Sequence, residues 1–455
     1  MNLRILTAAV MTLTAAVSAS ALPAEQADMF SLSDKSTAES ARNIPAGGES
    51  AEIGSTLSSA RGITDLMRAS LAGDAAAVNK LIHSGAEVNA ADRLGRTALM
   101  YALSRNEGQQ AAEALLQAGA DVNYRGKKGF PPLMYALHSG YSPEFISELI
   151  EKYGALPELT AEGGITPMMA ACQYAGSAET VKILYRAGAE LRFPDGRGRT
   201  PLHYAVLNQS SAAASIAAFL LENRAPLEAK DARGMTPLSC AAAWSSNAEL
   251  IETLLNAGAA LESTDSTGMT PLMHAASRSG SHALEAVQIF AEAGADFTAR
   301  DRFGYDVFLC ALRSCGSLET VRWIDGHMKT LKAAEAEEAA GSAGSAENTE
   351  RDGTPEPLPL LTAALNPTEA APDIIRWLLS RGEPLEERDE NGRTALVRAV
   401  RYNASPLAAE ALASAGASLK VRWKGASWRQ LLRYNSVMEA ADKVSLAAFF
   451  RKLKK

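Results

Sequence analysis

The chain has 455 residues, 47% of them hydrophobic, and its 45 basic and 52 acidic side chains leave a net charge of −7. One hydrophobic core stops growing near roughly 250–300 residues, so this length excludes a single compact core and favours a stack whose units pack only on their neighbours. The acidic balance argues against nonspecific nucleic-acid binding by the molecule as a whole.

Residues 1–21 read as an export signal. Arg4 gives a positive start, Ile5 to Val17 is mostly apolar, and Ala19-Ser20-Ala21 fits a small-residue cleavage site, with cleavage expected after Ala21. Thr7, Thr12, Thr14 and Ser18 dilute a segment already short for a bilayer span, so no stable membrane anchor is expected. A periplasmic or secreted location follows. Residues 22–62, rich in Ala, Ser, Glu and Gly without a sustained period, read as a disordered leader.

From Ile63 onward one pattern returns about ten times. Its strongest copy is Arg199-Thr200-Pro201-Leu202-His203-Tyr204-Ala205-Val206, with kin at Met235-Thr236-Pro237-Leu238 and Met269-Thr270-Pro271-Leu272. A glycine recurs at 95, 129, 164, 198, 234, 268 and 304, at gaps of 34, 35, 34, 36, 34 and 36 residues. Such a period marks a stacked-repeat protein. Threonine before proline starts a helix, because the hydroxyl caps it and the first turn tolerates the missing N–H. Ala217, Leu220 and Leu221 give a second helix its apolar stripe. Gly188, Gly258 and Gly294 stop their helices, and Asp-x-x-Gly, as in Asp265 to Gly268, is turn chemistry. The spacing divides the chain into an N-terminal array, 63–332, an insert, 333–357, C-terminal repeats, 358–425, and a helical cap, 426–455. Longer helix–helix turns are expected at Leu103 to Gln110 and Leu207 to Ala213. The insert is acidic, with Glu335, Glu337, Glu338, Glu347 and Glu350, and is expected to begin as a helix extension and then serve as a flexible hinge or binding segment. The tail Phe449-Phe450-Arg451-Lys452 is expected to pack its phenylalanines on the last repeat and leave its lysines in water.

The pattern resembles the ankyrin repeat. Thr200-Pro201-Leu202-His203-Tyr204-Ala205 is similar to that family's opening helix, Leu254-Leu255-Asn256-Ala257-Gly258-Ala259 to the end of its second helix, and Asp231-Ala232-Arg233-Gly234 to its loop tip. The resemblance runs from 63 to 455. It implies an all-α repeat solenoid of helix-turn-helix units joined by short β-hairpin-like loops, and a structural hydrogen bond from His203 to neighbouring loop groups. It also implies that tips and first helices line one concave side.

No catalytic set, phosphate loop or metal-ligand spacing stands out, so neither an enzyme nor a cofactor is expected. Cys172, Cys240 and Cys310 fall on first helices of non-adjacent repeats, and Cys315 lies five residues beyond Cys310 on the same predicted helix. All four are read as unbridged thiols, with Cys315 partly exposed. Tip positions carry Arg93, Arg96, Lys127, Lys128, Arg197, Arg199, Arg233, Arg302 and Arg393 against only Glu162 and Glu390, which predicts a basic ridge on an acidic protein. The aspartates just upstream, Asp92, Asp195, Asp231, Asp301 and Asp389, are candidates to pair with some of these arginines. A second stripe on the first helices contains Tyr101, Tyr135 and Tyr204, with Phe130 and Tyr305 as exposed tip aromatics; tyrosines supply large contact area at low entropy cost. Ridge and stripe predict a monomeric binding protein whose partner is a protein with an acidic surface. It acts as a scaffold or as an inhibitor or immunity-like factor masking a toxin or enzyme, ahead of an enzyme or small-molecule binder.

Overall fold

The computed structural model describes residues 62–280, 282–341, 358–420 and 422–453. The export signal with its cleavage after Ala21, the leader 22–61, the 342–357 portion of the insert and the last two lysines lie outside the described residues. Within them the chain is a helical repeat solenoid with helices in consecutive pairs. Extended pairing among the described residues is limited to two isolated bridges, Ala91 with Thr97 and Trp423 with Ala426. The loops are short and hairpin-like, each closed by a bond such as Asp92 N–H to Arg96 O, without extended strands.

The helices form two compact units. The first holds the described residues up to Pro237 together with Ser245–Ala259, and the second holds Leu238–Trp244 and the described residues from Ala260 onward. In the first unit the pairs are Asp65–Leu71 with Ala75–His83, Ala98–Leu103 with Gln109–Gln117, Pro132–His138 with Pro143–Glu151, Pro167–Tyr174 with Ala178–Arg186, and Pro201–Val206 with Ala213–Glu222. All six residues of Ala98–Leu103 and of Pro201–Val206 are buried. Thr97 and Thr166 cap their helices by accepting the Met100 and Met169 N–H groups, each cap contributing about 1 kcal/mol. The second helices are amphipathic. Ala178–Arg186, for instance, buries Thr180, Val181 and Leu184, and each buried leucine or valine contributes roughly 1.5–3 kcal/mol.

Helix ends follow one bond pattern. After Ala248–Asn256 the Gly258 N–H donates to Leu255 O at 2.9 Å and the Ala259 N–H to Leu254 O at 3.1 Å, with Gly258 at φ 87°. After Ala213–Glu222 the same bonds form, Arg224 to Leu221 O at 3.0 Å and Ala225 to Leu220 O at 2.9 Å, but a bulky side chain sits at φ 63°. That conformation costs a residue other than glycine about 1 kcal/mol.

The repeats are also fastened by buried side-chain amides that the sequence reading missed. Asn208, just past the helix Pro201–Val206, donates to Cys172 O at 3.0 Å and Ala175 O at 2.9 Å in the preceding repeat, while its Oδ1 accepts the Ser210 N–H at 2.8 Å. In the second unit Asn366 donates to Leu312 O and Cys315 O, Asn403 to Ala364 O and Asn366 O, and Asn435 to Val400 O and Asn403 O, all within 2.8–3.0 Å. The Tyr141 hydroxyl plays this part between its repeat and Ala102 O. The available signal was Asn-x-Ser/Thr directly after a first helix, at 208, 366 and 403.

The second unit contains Pro271–Ala276, His282–Glu292, Val307–Ser314, Leu318–Gly341, Pro359–Ala363, Ala371–Ser380, Ala395–Tyr402, Leu407–Ser414, Trp428–Tyr434 and Ala440–Leu453. The insert begins as a helix, since Leu318–Gly341 runs on without a break. Its flanks are bonded to each other through Asn366, through Thr368 Oγ1 to Cys315 O at 3.1 Å, and through an Arg381–Asp325 ion pair at 2.8 Å. All four cysteines are buried and unbridged. Cys315 departs from expectation twice: it is 0% exposed, and it lies beyond the helix Val307–Ser314 with extended backbone, φ −67° and ψ 136°. In the C-terminal helix Phe450 is fully buried edge-on to Trp428 at 5.0 Å, and Lys452 is exposed.

Changing Arg224 to glycine is expected to raise the unfolding free energy by about 0.5–1 kcal/mol in urea titrations. Gly258→Ala is expected to lower it by about 1 kcal/mol or more.

Candidate protein-binding surface

Six of the tips are built around an aspartate, while Gly126 and Ala161 stand at that position in two others. In Asp92-Arg93-Leu94-Gly95-Arg96 one carboxylate oxygen, Oδ1, accepts the backbone N–H groups of Leu94 at 2.9 Å and Arg96 at 2.8 Å. The Asp92 N–H returns to Arg96 O at 2.9 Å, and the Gly95 N–H donates to Asp92 O at 2.9 Å. The same pairs of amides meet Oδ1 of Asp195, Asp231, Asp265, Asp301 and Asp389. Gly95 is required twice over. Its φ is 72°, and a side-chain carbon there would stand 2.8 Å from the Lys127 nitrogen.

The second carboxylate oxygen decides what becomes of the predicted ridge and stripe. Arg96 Nε and Nη2 reach Asp92 Oδ2 at 2.9 and 2.8 Å, and the Tyr101 hydroxyl donates to the same oxygen at 2.8 Å. The Arg96 guanidinium lies over the Tyr101 ring, 4.7 Å from its centroid. Asp195, Arg199 and Tyr204 repeat the cluster with 2.9, 2.8 and 2.7 Å contacts and the same 4.7 Å stacking. Tyr101 and Tyr204 are 3% and 1% exposed. Burial first, and the neighbouring aspartate after it, push both phenols far above their ordinary range against the opposing pull of the arginine, so they remain donors. Arg96, Arg199, Tyr101 and Tyr204 are therefore parts of a buried clamp and not partner contacts, because a desolvated carboxylate needs all of their donors. Arg393 makes the same bond to Asp389, at 2.6 Å. His274 takes the tyrosine's place at Asp265, at 3.1 Å. Asp301 carries Tyr305 where arginine would stand, and there burial pushes the carboxyl up.

Two aromatic expectations change as well. Phe130 is 7% exposed: Gly126 stands where the tip aspartate would be, so the slot that Arg96 fills holds an apolar ring instead. Tyr305 is half-buried, its N–H bound to Asp301 and its ring under Arg313 at 5.5 Å. Tyr135 is half-buried on its helix. His203 does hold neighbouring loop groups. Its Nδ1 accepts the Thr200 N–H at 3.2 Å and its Nε2–H donates to Met235 O at 3.2 Å. Burial lowers its basicity, which keeps the ring neutral.

Arg93, Lys127, Lys128, Arg197 and Arg233 of the first unit remain exposed, as does Arg302 of the second. The sequence reading missed the apolar side chains beside them: Leu94 at 59%, Phe193 at 64% and, in the second unit, Phe303 at 46% exposure. Their signal was an apolar residue in or beside a turn that normally carries polar ones. In the first unit the tips are joined into a row. The Lys127 N–H donates to Leu94 O at 3.2 Å, Glu162 to Lys128 O at 2.9 Å, Gly196 to Gly163 O at 2.6 Å and Ala232 to Arg197 O at 2.7 Å. The exposed cations and Leu94 thus stand on a fixed ribbon of backbone. Among the described residues no group of His, Cys, Asp and Glu side chains is placed to hold a metal ion, and no helix is long and apolar enough to cross a membrane.

A family model for ankyrin repeats in three copies matches residues 66–161, 141–231, 211–301 and 240–332, together more than half of the chain. Rabankyrin-5 of Mus musculus is 34% identical over 90 residues, 20% of this chain and 7% of that protein. Neurogenic locus notch homolog protein 1 of Xenopus tropicalis is 36% identical over 117 residues, 26% of this chain and 4% of that protein. The chain thus spans less than a tenth of the length of these relatives. The solved ankyrin repeat domain of human ASB11 aligns with 51% of this chain and 99% of its own at 24% identity and a TM-score of 0.43.

Asp195→Ala is expected to destabilise the protein by about 3–5 kcal/mol, since it strands a buried guanidinium and two amides, and Tyr204→Phe by about 1 kcal/mol. Arg197→Ala, exposed on the same tip, should stay within about 0.5 kcal/mol in the same melts. The lowered basicity of His203 carries a sign. Above its ordinary value of 6.5 the ring is neutral folded or unfolded, whereas below it the unfolded chain takes up a proton that the folded ring resists. Stability should therefore fall as the pH drops from 7.5 to 5.5, and the His203 ring resonances should still report a neutral imidazole at pH 6.

Proposed function

The chain belongs to the ankyrin-repeat family, and we propose that it is a non-catalytic scaffold whose tip row binds a protein partner outside the cytoplasm. One observation carries this reading. Arg93, Leu94, Lys127, Lys128, Arg197 and Arg233 are exposed on turns bonded edge to edge, and the turns of Arg93, Arg197 and Arg233 are also held by aspartates. A surface fixed before the partner arrives loses little conformational freedom on binding. The mixture of cations and a large apolar side chain suits an acidic protein surface with apolar residues among its carboxylates. Five cations of the first unit, Arg93, Lys127, Lys128, Arg197 and Arg233, set the charge of the row. The apolar N-terminal segment ending at Ala19-Ser20-Ala21 supports export to the periplasm or beyond.

Replacing Arg93, Lys127, Lys128 and Arg197 together by glutamate is expected to weaken partner capture from periplasm or culture medium by tenfold or more, as reversed rim charges repel and slow encounter. Circular dichroism should not change, because none of the four is a clamp residue. Full capture by this variant overturns the reading.

A further inference from the structure

The chain enters the fold at the tip row itself. Gly62 lies against the first tip: a side-chain carbon there would stand 3.7 Å from the Arg93 nitrogen and 3.8 Å from its Cγ. Arg93 and the neighbouring Lys127 and Lys128 are exposed, and none of the three makes an ion pair among the described residues. Leu94 is exposed between them, and the Lys127 N–H to Leu94 O bond holds the two tips side by side. Upstream, residues 24–34 read Ala-Glu-Gln-Ala-Asp-Met-Phe-Ser-Leu-Ser-Asp, with acids at Glu25, Asp28 and Asp34 and apolar Met29, Phe30 and Leu32, and Lys35 follows as the first basic residue after this stretch. This is the complement of the two tips in both charge and apolar content.

We propose that residues 24–34 of this same chain dock on the first two tips, their carboxylates on Arg93, Lys127 and Lys128 and their apolar side chains on Leu94, as an intramolecular ligand. The 27 residues 35–61 have a contour length of up to roughly 90 Å, ample to reach the tips, and tethering supplies an effective concentration on the order of millimolar. Exposed ion pairs too weak to hold a free peptide suffice at that concentration. The segment remains attached whether or not the chain is cut after Ala21. The docking stands on its own, and its consequence, that an acidic partner must displace the leader, rests on the proposed function.

The test is zero-length carbodiimide coupling of the full chain at low salt, with the joined peptides identified by mass spectrometry. Asp28 and Asp34 are expected to couple to Lys127 and Lys128 within one molecule, in preference to other exposed lysines such as Lys80, Lys152 and Lys230. Arg93→Glu leaves both lysines in place, yet should cut that yield about fivefold. High salt should do the same. Coupling spread evenly over the lysines, confined to dimers, absent, or unaffected by Arg93→Glu overturns the docking and leaves partner binding by the tip row standing. Should the docking hold, a Glu25→Gln, Asp28→Asn, Asp34→Asn variant should capture more partner; strong coupling in a chain that captures no partner would instead count against the proposed function alone.

Discussion

An aspartate carboxylate holds six of the tips, and its two oxygens have different work. One oxygen accepts two backbone amides and closes the turn; the other, left in a desolvated pocket, needs donors of its own. In the tips of Asp92 and Asp195 those donors are an arginine and a tyrosine hydroxyl, in that of Asp389 an arginine, and in that of Asp265 a histidine. The orientation of every neighbouring side chain follows. Leu94, whose backbone is pinned by the first oxygen, and Arg93 beside it have side chains that the second oxygen does not claim, and both are turned to solvent. The divide between support and display is thus made by one functional group.

This divide also settles how the tips act as a surface. A clamp arginine contributes no field to a partner, since its charge is cancelled by a carboxylate at 2.8 Å. What it contributes is stiffness, passed from tip to tip by single backbone bonds along the first unit. An acidic protein can in this way keep a short basic edge without becoming a general polyanion binder.

The fold was legible because it rests on period and on local chemistry. Thr-Pro starts, glycine stops and Asp-x-x-Gly turns each act within a few residues, and stacking repeats them in register. The surface was only half legible. Arg93 and Arg96 are three residues apart and look alike as letters, but one faces water and the other a carboxylate, a difference decided by the aspartate's free oxygen. The upstream aspartates pointed to pairing without saying which arginine each would take. Phe130 was placed at the surface because its tip position suggested exposure; the glycine at 126, which removes the carboxylate and leaves the slot apolar, was the overlooked clue. The asparagine fasteners were invisible to a period search because they recur at 366, 403 and 435 in one unit and at 208 in the other, with Tyr141 substituting elsewhere.

Those asparagines give the stack a direction. Asn208, Asn403 and Asn435 each satisfy carbonyls that belong to the repeat before, never to the repeat after. A repeat therefore cannot complete its own buried polar groups; its successor does so. During synthesis, when the chain lengthens from its N-terminus, each of these asparagines seals carbonyls of the repeat made just before it. Asn435, after Trp428–Tyr434, seals the repeat before it in the same way, and behind it Phe450 packs edge-on against Trp428.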